Sequence, residues 1–488
     1  MNKPIRAMSI FCMLLFVALL LNATYLQYVD AGSLNSRSDN KRVRDAEFAR
    51  KRGAIVAGGT SVAESRKIDD QYTYQRVYEQ PRKYAQLTGY FSYVYGRSAV
   101  ESSQSEILSG SDPRLFVNRV VDLLGNSQPK GGSVSLTVDP KAQTAAYDGL
   151  RALGSNIEGS VVALQPSTGK VLALVSSPSY DPNVLASHRF AAVQQAWAKL
   201  TANKKQPLLD RGIQQVYPPG STFKLVTAAA ALSSGQYTPN TKVKGGASLD
   251  LPQTSTNLVN ENGNNCGGDP ITLTRALEVS CNVSFGSIGL RLGADALRQQ
   301  AEKFGFDQTY LNDIGGQVKS RFPASPDEPQ TALSAIGQFD VAATPLQMAM
   351  VAAGIANGGT VMRPYVVDEV RAPDLSVLDK TSPEAYRSNA VSSTVARELT
   401  AMMVEVVDNG TGGTAKIPGI KVAGKTGTAQ SSPERPPYAW FVSFAPADNP
   451  QVAVAVLIQD AGVARDAISG SGLAAPIAKK VMEAVINK

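Results

Sequence analysis

The chain has 488 residues, of which 43% are hydrophobic and 18% charged, and its formal net charge is +7 at pH 7. This length predicts two or three domains, and the composition is typical of folded protein. One histidine and three scattered cysteines exclude a zinc site of the usual spacing, and the chain contains no glycine fingerprint for phosphate binding.

The positive charge does not indicate a nucleic-acid partner. The basic residues are spread along the chain except for one run, which Asp39, Asp45 and Glu47 interrupt. The members of this run are Arg37, Lys41, Arg42, Arg44, Arg50, Lys51 and Arg52. It lacks the interleaved aromatic residues that are typical of single-strand binding. We therefore expect a solvated segment beside anionic lipid or an anionic polymer, and no nucleic acid.

The first predicted element is a membrane anchor. Ala7 to Val29 carries no charge and is long enough to cross the roughly 30 Å of a bilayer core. Residues 21–23 form a poor signal-peptide cleavage site, and no lipidation cysteine follows the apolar run. Residues 1–30 are therefore predicted to form a cytoplasmic tip and a transmembrane helix. Lys3 and Arg6 favour a cytoplasmic N-terminus, although basic residues also follow the span.

Two larger domains are predicted after the anchor. Residues 31–150 mix polar, tyrosine-rich and short apolar runs and show no motif of a catalytic or binding site. We interpret them as a non-catalytic pedestal. Residues 151–488 form the second domain. Near its start, Ser160–Leu164 and Val171–Val175 flank a turn, which predicts a β-hairpin.

The remaining elements of residues 151–488 predict an α+β fold. Three more strands are predicted at Lys421–Gln430, Trp440–Ala445 and Val452–Ile458, before a closing helix at Ala474–Ile486. Five strands from the two ends of this domain must therefore meet in one sheet. The stretch from 182 to 417 is largely helical by pattern, with helices predicted at Leu273–Val279, Pro345–Ala356 and Thr394–Val407.

One short string has the pattern of a serine nucleophile. Ser221-Thr222-Phe223-Lys224 follows a chain-reversing segment, residues 217–220, and opens an apolar run that ends at residues 233–235. This pattern predicts a buried helix that starts at Ser221. Because residues i and i+3 of a helix are neighbours, Lys224 should point the same way as Ser221, in a preassembled pair. Burial disfavours the charged form of the lysine, so an amine could act as the base in serine acyl transfer.

Other strings of this kind are less suitable. Three further Ser-x-x-Lys strings begin at Ser38, Ser127 and Ser167. They lie in a charged stretch, across Pro129 and in a turn between strands, so none can place the hydroxyl and the amine on one helical face. His188 lies in a polar stretch, and the chain has no G-x-S-x-G elbow, so we interpret His188 as a structural residue.

Two later strings could complete such a site. Ser280-Cys281-Asn282 follows the predicted helix 273–279, whereas the competing Ser255-Thr256-Asn257 lies in a polar, turn-like stretch. Ser280 could relay a proton and Asn282 could bind a substrate amide.

The string Lys425-Thr426-Gly427-Thr428 lies on a predicted strand. Lys425 is the candidate for a second cation that lowers the pKa of the first lysine. Lys425, Thr426 and Thr428 could also bind the terminal carboxylate of an extended peptide that lies along the strand edge.

Two of the cysteines could form a bridge. Cys266 and Cys281 lie in the part predicted to be outside the cytoplasm, where disulfides persist. A bridge would close a loop of roughly 15 residues, worth about 3 kcal/mol in the chain-entropy model. The alternative is a pair of free thiols. Cys12 lies inside the predicted anchor.

Taken together, the three strings in this order resemble the class B penicillin-binding proteins, the D,D-transpeptidases that cross-link peptidoglycan, and in particular their short actinobacterial type. Further matching stretches are Arg52-Gly53-Ala54-Ile55, Leu136-Thr137-Val138-Asp139, residues 177–183, Ile336-Gly337-Gln338 and Thr344-Pro345-Leu346-Gln347. Two positions depart from the family pattern. Ala57-Gly58-Gly59 replaces an Asp-Arg-Asn string, and Phe339 stands where glycine usually follows Ile-Gly-Gln.

The resemblance implies a fold and a mechanism. The fold would be a serine β-lactamase-like transpeptidase domain, a five-stranded antiparallel sheet with helices on both sides and a helical subdomain, after an anchor and a small mixed pedestal. Ser221 would attack the penultimate D-Ala carbonyl of a donor stem peptide with Lys224 as base, and pass the acyl group to an acceptor stem peptide. The backbone N–H groups of Ser221 and Thr428 would form the oxyanion hole. β-Lactams would acylate the same serine, and neither metal nor cofactor is implied.

The resemblance also implies a location and a partner. The catalytic domain would lie outside the cytoplasmic membrane, with the N-terminus inside, and a multispanning lipid II polymerase would contact the anchor and pedestal. A D,D-carboxypeptidase shares all three motifs and ranks second, because the anchor and pedestal suit a polymerase partner better. The length, the pedestal and the lack of an E-x-x-L-N string disfavour a β-lactamase or β-lactam sensor. Three intact motifs disfavour a non-catalytic scaffold.

Overall fold

The computed structural model of the chain describes residues 2–30, 33–34, 41–125, 130–154, 156–261, 263–430 and 435–487. Two of the competing Ser-x-x-Lys strings begin outside these residues, at Ser38 and Ser127. Three other residues named above, Arg37, Asp39 and Pro129, also lie outside them.

The described helices are numbered in chain order. They are α1 (Asn2–Thr24), α2 (Lys41–Phe48), α3 (Pro81–Thr88), α4 (Ala99–Ser103), α5 (Ser105–Ser109), α6 (Phe116–Leu124), α7 (Pro140–Ala152), α8 (Asn183–Ala186), α9 (Phe190–Ala202), α10 (Lys224–Ser233), α11 (Leu273–Glu278), α12 (Asn282–Leu292), α13 (Ala294–Lys303), α14 (Glu328–Ser334), α15 (Pro345–Ala356), α16 (Ser393–Asp408) and α17 (Ala475–Ile486).

The described strands are numbered in the same way. They are β1 (Ile55–Ala57), β2 (Thr60–Lys67), β3 (Tyr74–Tyr78), β4 (Phe91–Ser92), β5 (Gly96–Arg97), β6 (Ser133–Leu136), β7 (Glu158–Leu164), β8 (Val171–Ser177), β9 (Lys242–Val243), β10 (Ser248–Asp250), β11 (Asn257–Val259), β12 (Ile271–Thr272), β13 (Val361–Met362), β14 (Val367–Arg371), β15 (Val377–Lys380), β16 (Ala385–Arg387), β17 (Ala423–Ala429), β18 (Tyr438–Ala445) and β19 (Val452–Asp460).

The N-terminal helix α1 stands apart from the folded protein. It continues through a π-helical turn at Tyr25–Val29, and the apolar span Lys3–Val29 is 27 residues long, with a mean hydropathy of 2.3 in its most apolar 18-residue window. None of the most apolar part of this span is buried inside the protein. A long helix whose backbone hydrogen bonds are internal and whose apolar side chains are exposed fits a single-pass membrane anchor.

The predicted five-stranded antiparallel sheet is confirmed. Its strand order is β17-β18-β19-β7-β8, so the N-terminal hairpin and the three C-terminal strands pair through β19 and β7, for example Val161 with Val456. Successive residues point to opposite faces, and both faces are covered. Val161 and Ala163 enter the core beneath α7 and α17, whereas Val162 and Leu164 enter the core shared with α15 and α16. The sheet and these helical layers form the expected α+β fold, with bounds that differ from the predicted ones by a few residues.

A second sheet joins distant parts of the chain. Its strand order is β15-β14-β6-β1-β2-β3, and β14 pairs with β6, for example Val370 with Val134. Strands β14 and β15 lie within the stretch 182–417, whose helical pattern did not predict them. This sheet therefore contains residues from both sides of position 150.

A buried ion cluster fastens this second sheet. The side chain of Glu101 is fully buried and accepts hydrogen bonds from Arg52 Nε at 2.6 Å and Arg76 Nε at 2.5 Å. Burial acts to raise the pKa of the Glu101 carboxyl, but the charges and hydrogen bonds of Arg76 and Arg52 outweigh it and hold the pKa below its ordinary value. The expectation of a wholly solvated basic run is wrong for Arg52, because its guanidinium is buried against this carboxylate.

Candidate active site

The nucleophile candidate lies on a tight turn. Ser221 is part of a 3₁₀ turn, Gly220–Phe223, and the α-helix α10 begins only at Lys224. The helix predicted to start at Ser221 is therefore present, but its first turn is 3₁₀ and its α-helical part begins three residues after Ser221. The turn is tightened because Thr222 donates to the Pro219 carbonyl from its N–H at 3.3 Å and from its hydroxyl at 2.7 Å.

Two glycines let the first and third motifs approach each other. A Cβ atom at Gly427 would lie 2.8 Å from the Thr222 side chain, and one at Gly220 would lie 3.0 Å from the carbonyl oxygen of Thr428. Gly220 also has a positive φ of 53°, which disfavours other residues. Larger side chains at either position would separate strand β17 from the turn that carries Ser221.

Lys224 is fully buried and contacts the second motif. Its Nζ donates to the Ser280 carbonyl at 2.6 Å and to Asn282 Oδ1 at 2.7 Å, and lies 3.2 Å from Ser280 Oγ. Among the described contacts, Lys224 Nζ and Ser221 Oγ are not hydrogen-bonded, so the expected preassembled pair is not closed in this structure. Catalytic hydrogen bonds are often long before substrate binds and tighten in the complex.

Lys425 approaches the same hydroxyl from the opposite strand. Its Nζ donates to Ser280 Oγ at 2.9 Å and to the Thr426 carbonyl at 2.9 Å. The Ser280 hydroxyl therefore lies between the two lysine nitrogens. Ser280 has a φ of 61°, a left-handed conformation that costs a non-glycine residue roughly 1 to 3 kcal/mol and that is often found at functional sites.

The two lysines have lowered pKa values. Burial, and then the charge of Lys425, lower the pKa of Lys224 well below its ordinary value, while Glu261 acts in the opposite direction. Burial lowers the pKa of Lys425 to about 7, again against Glu261. Because like charges in one buried site titrate one after the other, such a pair can hold one neutral amine beside one ammonium ion.

The structure adds one positioning group that the sequence did not indicate, Asn260. Its Oδ1 accepts the backbone N–H groups of Asn282 at 2.9 Å and Val283 at 3.2 Å, which caps helix α12 from a separate loop. A disulfide joins Cys266 and Cys281, with their Cα atoms 5.8 Å apart. The loop after β11 thus holds the second motif at two points. An asparagine in a polar loop carries no sequence signal for this contact.

Four of the predicted site residues form one hydrogen-bonded cluster, in which Lys224 contacts Ser280 and Asn282, and Lys425 contacts Ser280. Ser221 lies three residues before Lys224, on the adjoining turn. Thr426, Gly427 and Thr428 follow Lys425 on β17. In the described part of the chain, β17 pairs only with β18, so no strand occupies its other edge, where an extended peptide could pair.

The competing candidates lie elsewhere. Ser167 is in the turn between β7 and β8, and Ser255 is exposed before β11. The ring of His188 lies 2.5 Å from a carboxylate oxygen of Asp70 and packs against Tyr72, with 4.8 Å between ring centroids. Across the described ranges, no group of three or more His, Cys, Asp or Glu side chains could hold a metal ion.

Comparisons with known proteins place this site in a family. Residues 159–483 match the model described as the penicillin binding protein transpeptidase domain, and residues 52–134 match that of the penicillin binding protein A dimerisation domain. The chain belongs to the class B penicillin-binding proteins, the serine-type peptidoglycan D,D-transpeptidases.

Within this class the chain is similar to PbpA of mycobacteria. It is 43% identical to the peptidoglycan D,D-transpeptidase PbpA of Mycobacterium tuberculosis H37Rv, over 100% of this chain and 99% of that protein. The identity to PbpA of Mycolicibacterium smegmatis is also 43%, over 100% of both chains. The structure of penicillin-binding protein A from M. tuberculosis as its ceftriaxone acyl-enzyme matches with a TM-score of 0.87 and 42% identity, over 91% of this chain and 100% of that chain. The expected resemblance to the short actinobacterial type is confirmed.

Proposed function

We propose that this chain cross-links peptidoglycan stem peptides in cell-wall synthesis, with Ser221 as the nucleophile and Lys224 as the base. The observation that carries this assignment is the position of Ser280, whose hydroxyl lies 3.2 Å from Lys224 Nζ and 2.9 Å from Lys425 Nζ. A buried amine with a lowered pKa, one turn from a serine, can accept the hydroxyl proton near neutral pH. The acyl-enzyme structures of M. tuberculosis penicillin-binding protein A with ceftriaxone and penicillin G support the same chemistry here.

Acylation would begin at the donor stem peptide. Ser221 Oγ attacks the penultimate D-Ala carbonyl, and its proton passes to Lys224 Nζ. The backbone N–H groups of Ser221 and Thr428 stabilise the oxyanion, where the loss of one donor costs about a hundredfold to a thousandfold in rate. The C–N bond then breaks, and the leaving amine of terminal D-Ala takes a proton that Ser280 relays from the lysines.

Transfer would reverse these proton movements. The amine of an acceptor stem peptide attacks the ester carbonyl, loses a proton to Lys224, and releases the Ser221 hydroxyl as the new amide forms. In the preceding acylation step, Lys425, Thr426 and Thr428 hold the carboxylate of the donor's terminal D-Ala, with Gly427 keeping the strand close to the turn. The Asn282 amide donates to the Val259 carbonyl at 3.0 Å, and its second N–H can bind a substrate carbonyl.

We also propose a domain organisation and a membrane topology. Residues 1–30 form the cytoplasmic tip and the anchor, 31–150 the pedestal and 151–488 the transpeptidase domain. The N-terminus is cytoplasmic and the catalytic domain lies outside the membrane, where peptidoglycan is cross-linked. The exposed apolar helix α1 supports the membrane anchor, and a multispanning lipid II polymerase is the proposed partner of the anchor and pedestal.

The test uses a fluorescent penicillin on the full chain in detergent. Three proteins are compared, the parent, Ser221→Ala and Ser167→Ala, a matched control from a competing Ser-x-x-Lys string. We expect a stable covalent adduct on the parent and on Ser167→Ala, located on Ser221 by mass spectrometry. No adduct on the parent, or equal labelling of Ser221→Ala, contradicts the proposal, and rapid turnover of the adduct indicates a β-lactamase.

A second assay separates the two D,D-peptidase activities. Donor and acceptor stem peptides are incubated with the enzyme, and the products are identified by mass. A cross-linked peptide supports the transpeptidase, whereas the shortened free acid alone indicates a carboxypeptidase.

A further inference from the structure

The loop after helix α16 connects the second and third motifs. Helix α16 ends at Asp408, and the backbone N–H of Thr411 donates to the carbonyl of Glu278 at 3.3 Å. Glu278 is the last residue of α11, two positions before Ser280. The hydroxyl of Thr411 lies 2.6 Å from that of Thr426 on β17. Thr411 therefore contacts the residues just before the second motif through its backbone, and the third motif through its side chain.

The surroundings of Thr411 hold it in this place. A Cβ atom at Gly410 would lie 2.3 Å from the Glu278 carbonyl oxygen, so the absence of a side chain permits the close approach. On the other side, the N–H of Gly412 donates to the Val406 carbonyl at 2.8 Å. Both neighbours of Thr411 are thus fixed, which holds its backbone in place between α11 and β17.

The contact between the two hydroxyls has a preferred direction once a carboxylate is bound. A hydroxyl carries one proton and two acceptor lone pairs, so Thr426 can donate to a carboxylate only if it accepts from Thr411. Hydrogen bonds in such a chain polarise and strengthen one another. In the free protein either hydroxyl can be the donor, and a bound carboxylate selects the arrangement in which Thr411 donates to Thr426 and Thr426 donates to the ligand.

We propose that Thr411 is a positioning residue of the carboxylate subsite, orienting the Thr426 hydroxyl toward the terminal carboxylate of the donor stem peptide or of a β-lactam. This inference rests on the proposed function of the site. Thr411 acts through Thr426 and does not touch the reacting atoms. Its loss should weaken binding of the carboxylate and leave the chemical step unchanged.

The test measures acylation of the full chain in detergent by penicillin over a range of concentrations. Thr411→Val removes the hydroxyl with little change of shape, Thr411→Ser retains it, and Thr414→Val is a control on the same loop, since Thr414 bonds to the Ser471 carbonyl instead. For Thr411→Val we expect the half-saturating penicillin concentration to rise about tenfold, with the limiting acylation rate within about twofold of the parent. Thr411→Ser and Thr414→Val should both resemble the parent.

A penicillin methyl ester, which lacks the carboxylate, provides a second measurement. The parent should bind the ester poorly. Thr411→Val should bind it no more weakly than the parent does, because the hydrogen bond from Thr426 to the carboxylate, which the substitution weakens, cannot form with the ester. An equal loss of affinity with acid and ester, or failure of Thr411→Ser to restore binding, would overturn the inference. If Thr411→Val does not fold, Thr411→Ala carries the same comparison. A parent that forms no adduct would instead refute the proposed function.

Discussion

The two buried lysines predict how acylation depends on pH. In the proposed mechanism, Lys224 must be neutral to accept the proton of Ser221, whereas Lys425 must be charged to attract a carboxylate. The pKa of Lys224 is lowered well below its ordinary value and that of Lys425 to about 7. We expect a bell-shaped profile for the second-order acylation rate, which rises as Lys224 loses its proton and falls as the pH passes about 7.

The substitution Lys425→Met tests this coupling, because it keeps the length of the side chain and removes its charge. The two lysine nitrogens lie 3.2 Å and 2.9 Å from Ser280 Oγ, so they are at most about 6 Å apart. Two unit charges about 6 Å apart repel each other by about 3 kcal/mol at an effective dielectric constant of about 20. This energy corresponds to about 2 pKa units. Without the second charge, the pKa of Lys224 should rise by that amount.

In the variant, the rising limb of the profile should therefore move to higher pH by about 2 units and the falling limb should disappear. The assay is labelling by fluorescent penicillin between about pH 5 and pH 9. The penicillin concentration is kept far below saturation, so that the profile reports the pKa values of the free enzyme. Lys416→Met is the control, because Lys416 is exposed and binds the Asp408 carbonyl outside the site. A rising limb that stays at its original pH in Lys425→Met would refute the electrostatic coupling of the two lysines.

Four further outcomes concern stability. Replacing Cys266 and Cys281 by serine should lower the free energy of unfolding by about 3 kcal/mol and make thermal unfolding insensitive to reductant. Glu101→Gln leaves two buried guanidinium groups poorly compensated and should cost about 3 to 5 kcal/mol in urea denaturation. Phe339 has a φ of 59° and is 47% exposed, so Phe339→Gly should relieve strain and stabilise the protein by about 1 kcal/mol. Lys425→Met should also stabilise the protein at low pH. Because the pKa of Lys425 is lowered to about 7 in the folded state, protonation of this lysine disfavours folding, and its removal should raise the free energy of unfolding by up to about 5 kcal/mol below about pH 7. This gain should vanish near pH 10, where the lysine is neutral in the folded state and loses its proton in the unfolded state.

Two of these outcomes have a matched control variant. Cys12→Ser should behave as the parent, since Cys12 is exposed on the anchor. Glu106→Gln should leave the urea midpoint unchanged, because Glu106 is exposed on the same segment as Glu101. A double serine variant as stable as the parent would contradict the role given to the disulfide. A destabilised Phe339→Gly would show that the aromatic ring contributes more than the backbone strain costs.

The sequence was most informative where burial imposes a simple pattern. Strand β18 is buried on both faces from Tyr438 to Ala445, so it reads as an unbroken apolar and small-residue run. The same reasoning predicted the hairpin of β7 and β8 and the closing helix. The order of the three motifs, combined with the ends of these elements, was the basis for preferring Ser221 and Ser280 to their competing strings.

Contacts between distant residues could not be predicted in this way. Strand β14 carries Asp368, Glu369 and Arg371 and so lacks an apolar pattern, although its partner β6 stabilises it. Asn260 and Thr411 lie in polar loops whose composition does not reveal what they contact. Their roles depend on tertiary neighbours, and these neighbours are far away in sequence.

The pairing of β7 with β19 has a consequence for the biogenesis of the protein. Val161 cannot meet Val456 until almost the whole chain has been synthesised, and pairings of such high contact order form slowly. Until then, the early hairpin presents unpaired edges and apolar faces to any chaperone or protease it meets. Strand β17, which carries Lys425, is one of the two edge strands of the same late-forming sheet. Reactivity toward β-lactams is therefore acquired at the end of folding, and a fluorescent penicillin reports how many molecules have matured and not merely how many have been made.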